Sequence, residues 1–236
     1  MDGFSYTNIF QTKGIEYLII IGFLLIIVPF WLALNRKTGK AKQSKRKPKI
    51  LSENTLVIPQ GLFYSKNHVW SFLGKSGTVK IGLDDFLLHI TGEIKINNFK
   101  KTGDLISKGD PIMEIDQEGK SLTIYSPLSG EITDINTTLN DSFKDLISDP
   151  YEEGWIYQIK PSNWKGETES LFFAEEAVNW TRNEIERFKE FMISSAKKHS
   201  LDTLKVFFQE NGELYDQPLA ELSDEIWQEF QVSFLS

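Results

Sequence analysis

The sequence has no cysteine among its 236 residues. Disulfide bridges, thiolate nucleophiles and cysteine-ligated zinc or iron–sulfur clusters held by this chain are therefore excluded. Its three histidines, His68, His89 and His199, are far apart, and none shows the spacing of a metal-binding pair. The glycine-rich phosphate-binding motifs and the Gly-x-Ser-x-Gly nucleophile motif are also missing. We therefore predict no catalytic residue, no metal site and no enzymatic activity.

Basic residues are scarce beyond residue 49. This part of the chain holds 17 basic and 31 acidic residues, a formal net charge of −14. A surface of this sign repels phosphate backbones, so we predict no nucleic-acid partner.

A long apolar run precedes this acidic part. Residues 17–34 are 18 consecutive residues without a charge, and about 20 apolar residues span a bilayer as a helix. We predict a retained single-pass membrane helix rather than a cleaved signal peptide, because a basic n-region and a small-residue cleavage site are lacking. Residues 36–49 hold eight basic residues and no acidic one. The positive-inside rule therefore places the soluble part in the cytoplasm, at the inner or cytoplasmic membrane, with membrane lipid as one partner.

Shifts in composition divide the chain into four segments. They are an N-terminal segment with the membrane helix (residues 1–35), a basic linker (36–55), a β domain (56–164) and a mostly helical region (165–236). Short runs bounded by Gly, Ser or Asn in the third segment predict many short strands, as in a sandwich or partly closed barrel.

The fourth segment shows helical periodicity. Apolar residues three to five positions apart predict one amphipathic helix over residues 167–198; they are Phe173, Ala177, Trp180, Ile185, Phe188 and Met192. The Asn211-Gly212 pair predicts a small β-hairpin, and Ser223 is expected to cap a last helix over residues 224–235. We expect the aromatic residues of this segment to belong to a core.

A second hairpin is predicted within residues 110–132. Two apolar arms, residues 111–115 and 122–125, flank a polar tip at residues 116–120. The period-two alternation of the arms is typical of half-buried strands. Gly119 supplies the positive φ that a tight turn needs.

The residues that follow this hairpin carry a family resemblance. Tyr125-Ser126-Pro127-Leu128-Ser129-Gly130-Glu131 resembles the YxPxSGE motif after the lipoyl-carrying hairpin of the glycine cleavage system H protein. Residues 64–70 resemble the family's opening YTxxHxW, and residues 149–156 its closing DPYxxGW. The resemblance covers residues 56–163. It implies an α+β chain whose centre is an H-protein-like, lipoyl-type β-sandwich or barrel.

One position decides what the resemblance implies for the cofactor. In the family a lysine at the hairpin tip carries lipoate. Counting back six residues from Tyr125 places that position at Gly119, and Lys120 stands one residue later. A displacement of one residue redirects a strand side chain, because strand side chains alternate between faces. Two interpretations of Lys120 stay open: an ordinary solvated surface lysine, or a shifted lipoyl-attachment site.

Two functional hypotheses follow. The first is a non-enzymatic, membrane-anchored accessory or adaptor subunit that has lost lipoylation and carries no cofactor. The alternative is a lipoyl carrier that uses Lys120 as a swinging arm in glycine cleavage-like or electron-transfer chemistry. Residues 6–17, ahead of the apolar run, resemble the small single-span subunit of Hmc-type membrane redox complexes. This second resemblance implies protein partners in a membrane-bound redox assembly.

The remaining polar residues that could belong to a functional site are expected to have structural roles or to face solvent. His68 is expected to pack beside the β domain. Asp84, Asp85, Asp116 and Glu118 could be regarded as paired carboxylates, but we expect them to be solvated acids in turns.

Overall fold

The computed structural model describes residues 9–35, 50–52, 55–140, 143–199, 207–208 and 212–235. The chain divides into two compact units, Met1–Arg46 and Lys47–Ser236. Most of the predicted basic linker and Asn211 of the predicted small hairpin lie outside the described residues.

The described part of the first unit is a helix, α1 (Ile9–Asn35). Among the described residues, no helix combines the length and the apolarity that crossing a membrane requires. The membrane span predicted at residues 17–34 is therefore not supported, and its basic flank lies outside the described residues.

The second unit combines short strands with helices. Its strands are β1 (Ile50–Leu51), β2 (Phe63–Tyr64), β3 (Val69–Leu73), β4 (Val79–Leu83), β5 (Lys95–Asn98), β6 (Leu105–Ile106), β7 (Pro111–Gln117), β8 (Lys120–Tyr125), β9 (Gly130–Ile135), β10 (Trp155–Pro161), β11 (Phe172–Phe173) and β12 (Leu214–Tyr215). Its helices are α2 (Asp85–Thr91), a 3₁₀ helix (Thr137–Asn140), α3 (Phe143–Ser148), α4 (Trp164–Thr168), α5 (Glu175–Lys198) and α6 (Asp224–Phe234).

The strands form three sheets. A seven-stranded sheet has the order β11-β2-β3-β4-β10-β9-β6, a three-stranded sheet the order β5-β7-β8, and β1 pairs with β12. Every pairing is antiparallel. The predicted β-rich domain with helices is confirmed.

One hydrophobic core joins the strands to the C-terminal helices. Leu122 and Ile124 of β8 belong to the same buried cluster as Phe188 of α5 and Trp227 and Phe230 of α6. Most aromatic residues of α5 and α6 are therefore core residues, as the spacing of the apolar positions predicts, while Trp180 belongs to a second buried cluster and Phe191 is partly buried.

The helix predicted over residues 167–198 is interrupted. Phe172 and Phe173 form β11, which pairs with β2 through Tyr64 and Phe63. Ala174 then has a φ of 52°, a left-handed conformation that ends the strand before α5 begins. Cross-strand pairing of two aromatic residues outweighs helical periodicity here.

The C-terminal end agrees in part with the sequence. α6 lies where a last helix is predicted, and Ser223 occupies its N-cap position without a side-chain hydrogen bond. Phe208 forms an antiparallel bridge with Leu214, as in the predicted small hairpin, and Leu214 also pairs with Leu51 of β1.

We predict that Gly130→Ala destabilises the fold by about 2 kcal/mol. A Cβ at residue 130 would lie 2.7 Å from Ile159 Cγ2 and closer still to the backbone oxygen of Lys160. Urea unfolding should show the loss, with Gly61→Ala as the control because a Cβ there meets nothing within 4 Å. Equal midpoints for the two variants would contradict the packing of β9 against β10.

Candidate functional site

The predicted hairpin is formed by β7 and β8. Gln117 pairs with Lys120, so the turn consists of Glu118 and Gly119 alone. Both turn residues have positive φ, 52° and 85°. This is the pattern of a type I′ turn, whose twist matches that of the flanking strands.

Gly119 stands at the exposed tip. A Cβ added there would meet nothing within 4 Å. The position at which the family resemblance places a carrier lysine therefore faces open space, and in this chain it holds no side chain.

Lys120 points elsewhere. It shares a strand face with Leu122 and Ile124, which are buried. Its ammonium donates hydrogen bonds to the backbone oxygens of Ala220, at 2.6 Å, and Leu222, at 3.1 Å. The same Nζ lies 5.2 Å from the centre of the Trp227 ring, a cation–π distance. The interpretation of Lys120 as an ordinary solvated lysine is therefore wrong, because its amine is engaged by the C-terminal region.

The segment that receives the amine is itself held by α2. Gln217 N–H donates to His89 O at 2.7 Å, and Leu219 N–H donates to Ile90 O at 3.0 Å. Trp227 Nε1 donates to Leu219 O at 2.8 Å, and both residues are fully buried. We call residues 216–222 the latch segment, since it is fixed to α2 at one end and to Lys120 at the other.

α6 covers the free edge of β8. This strand lies at the border of its three-stranded sheet. Thr123 N–H donates to Gln231 Oε1 at 2.7 Å, and Gln231 Nε2 donates to Thr123 O at 3.1 Å. The side-chain amide thus takes the place of a neighbouring strand, and it closes a backbone edge that would otherwise be open to pairing.

A buried polar cluster lies at the start of α2. His68 is fully buried, as expected from its place in the opening motif, and its Nδ1 lies 2.8 Å from Asp84 Oδ2. Asp84 also caps α2 by accepting from Leu87 N–H at 2.9 Å. His68 Nε2 has no hydrogen-bond partner among the described residues and lies 3.9 Å from Glu184 Oε2.

The expectation that Asp84 and Asp85 are solvated is wrong. Both are buried and hydrogen-bonded: Asp84 caps α2, and Asp85 accepts from Val57 N–H at 2.8 Å. Burial raises the pKa of the Asp85 carboxyl above its usual value. Asp116 is half-buried and Glu118 is exposed in the hairpin.

Sequence reasoning missed the partners of the hairpin. Ala220 and Leu222 bind Lys120 through their backbone oxygens. Every residue has such an oxygen, so the residue type does not indicate this role. Gln231 acts through its side chain, but α6 carries several other polar residues, so its amide gives no distinct signal in the sequence.

Comparisons with known proteins cover the central part of the chain. The model of the glycine cleavage H-protein family matches residues 62–184. The probable glycine cleavage system H protein of Thermococcus kodakarensis is 33% identical over 126 residues, which is 53% of this chain and 93% of that protein. The counterpart in Thermococcus gammatolerans is 36% identical over 118 residues, covering 50% of this chain and 87% of that protein.

Bacterial proteins match similarly. The glycine cleavage system H protein of a Psychrobacter species is 35% identical over 119 residues, covering 50% of this chain and 94% of that protein. A crystal structure of the H protein from Mycobacterium marinum is 24% identical, with a TM-score of 0.41 over 44% of this chain and 87% of that one. The family match includes neither the N-terminal segment nor the latch segment. The resemblance of residues 6–17 to the Hmc-type subunit is not supported.

We predict that Lys120→Met lowers the free energy of unfolding by about 2 kcal/mol, because two backbone oxygens lose a charged donor. Lys95→Met is the matched control, since Lys95 is an exposed lysine on β5 and should change stability by less than about 0.5 kcal/mol. Urea unfolding of both variants measures the difference. A Lys120 variant as stable as the control would mean that the latch contact is not formed in solution.

We predict a pH signature for Asp85. A carboxyl whose folded pKa is raised contributes most stability below its unfolded pKa, and that contribution falls as the pH rises through the folded pKa. Relative to Asp85→Asn, the wild type should therefore lose stability as the pH is raised above about 3.8, the usual pKa of an aspartate carboxyl, and the difference should then level off. Urea unfolding at a series of pH values tests this, and a wild type that gains on the variant with rising pH would show that Asp85 is not desolvated.

Proposed function

The chain belongs to the glycine cleavage H-protein family, and from this premise we propose that it is a non-enzymatic, H-protein-like accessory or adaptor protein without a lipoyl arm. One observation carries the proposal. The hairpin amine, Lys120 Nζ, is bound by the backbone oxygens of Ala220 and Leu222, whereas the exposed tip is Gly119, which has no amine.

A carrier lysine has two physical requirements. A ligase must reach its amine, and the loaded arm must then travel between partner sites. The contacts of Lys120 conflict with both requirements. Freeing its amine breaks two hydrogen bonds from a charged donor, each worth about 1.5–3 kcal/mol. It also removes the ammonium from the Trp227 ring. Acylation would also abolish the positive charge that these contacts use.

The adaptor role is supported by the way the hairpin is closed. Gln231 pairs with Thr123 of β8, and the latch segment binds Lys120, so both contacts restrain the hairpin beside its exposed tip. We propose that the hairpin surface acts through non-covalent contacts with partner proteins. A place in a membrane-bound redox assembly remains a prediction from residues 6–49 alone.

The relatives favour a second candidate, a lipoyl carrier that uses Lys120. They are named glycine cleavage system H proteins, and in that family, as the sequence resemblance implies, a tip lysine carries lipoate. Family membership supports this candidate more directly than it supports the adaptor role. It requires the latch segment to release Lys120 before modification.

Lipoylation in cells that express a lipoate ligase distinguishes the two candidates. The wild type is expressed beside the double variant Gly119→Lys/Lys120→Ala, and peptides spanning residues 115–131 are weighed by mass spectrometry. We expect no lipoyl group on the wild type and modification at position 119 of the double variant, because that position faces open space. The host's own H protein controls for ligase activity.

A lipoyl mass on Lys120 of the wild type would overturn the adaptor proposal and establish the carrier. The cost of a lysine at position 119, where φ is 85°, is about 1–2 kcal/mol. The neighbouring Glu118 already adopts a positive φ of 52°, so the turn should tolerate the change.

A further inference from the structure

A second site lies outside the hairpin. A cleft of about 330 Å³ is lined by residues of β11, α5 and α6 together with Lys66, which follows β2. Its apolar walls are aromatic: Phe172 stacks on Trp180 with ring centres 4.9 Å apart, and Phe234 lines the cleft from α6. The volume lies at the lower end of the range for small-molecule pockets, and the lining combines three aromatic residues with four polar or charged ones.

The acidic group of the cleft is already neutralised. Glu184 is buried, and both of its carboxylate oxygens accept from Arg187 Nη1 at 2.9 Å. Arg187 is fixed further, because its Nη2 donates to the backbone oxygen of Ser233 and its guanidinium lies 4.2 Å from the centre of the Phe234 ring. A guanidinium has five N–H donors, so Arg187 keeps donors beyond these contacts.

Lys66 adds a positive charge to the cleft that no acidic group of the lining pairs with. Its side chain is exposed, and within the part of the chain that the structure describes it has neither a hydrogen bond nor an ion pair. The cleft therefore combines a neutral Glu184–Arg187 pair, an unpaired ammonium and stacked aromatic walls. This polarity fits an anion and disfavours a cation.

We propose that this cleft binds a small organic anion with an aromatic body. The anionic head would lie against Lys66 and the remaining donors of Arg187, and the ring would pack on Phe172 and Trp180. Arg187 and Phe234 lie beyond the residues that match the family model, so the cleft is a feature of this chain's C-terminal region. The proposal does not depend on whether Lys120 is lipoylated.

A pair of probes with one ring system and opposite charges tests the proposal on the full-length protein. Calorimetric titration compares 1-naphthylacetate with 1-naphthylmethylammonium. We expect 1-naphthylacetate to bind more tightly, and its Kd to rise about fivefold in Lys66→Gln, as the loss of one partly exposed charge contact implies. Lys75→Gln is the control, because Lys75 is also exposed and does not line the cleft.

Three results would overturn the proposal: no binding of 1-naphthylacetate, binding of the ammonium probe as tight or tighter, or an unchanged Kd in Lys66→Gln. Because Lys66 is exposed, its replacement should leave the fold intact, which the unfolding midpoint checks. An equal loss of affinity in Lys75→Gln would show a general charge effect and would also contradict the assigned site.

Discussion

The contact between the Lys120 ammonium and the backbone oxygens of Ala220 and Leu222 determines how the C-terminal region meets the β domain. At its other end the latch segment, residues 216–222, is hydrogen-bonded to α2. With both ends fixed, α6 is held where Trp227 and Phe230 are fully buried. Full burial of such a side chain is worth about 1.5–3 kcal/mol, so a few polar contacts set the position and apolar packing supplies most of the stability.

This arrangement changes what an H-protein hairpin can do. The sequence resemblance implies a lysine at the hairpin tip of the family, whereas here the tip is Gly119 and the nearby amine is part of the interface with the latch segment. The edge of β8 is occupied by Gln231. The contacts of Lys120 and Gln231 restrain the hairpin beside its exposed tip, and the proposed adaptor role rests on them.

The sequence predicts local features well and long-range polar contacts poorly. The hairpin and its Gly119 turn follow from period-two alternation and turn chemistry, and the core role of α5 and α6 follows from helical spacing. The strand at Phe172-Phe173 escaped prediction because its stability comes from pairing with β2, some 110 residues earlier in the chain. The contacts of Asp85 and Lys120 depend on partners that are distant in sequence, Val57 and the latch segment, and the oxygens that bind Lys120 belong to the backbone.

Chemical labelling of lysine amines in the native protein tests the central claim most directly. A brief treatment with an acetylating ester, followed by peptide mass spectrometry, gives a rate for each lysine. The latch contact predicts that Lys120 reacts at least about tenfold more slowly than the exposed Lys95, because reaction requires local opening worth about 1.4 kcal/mol or more. Equal rates for Lys120 and Lys95 would show a free amine at the hairpin and would contradict the account.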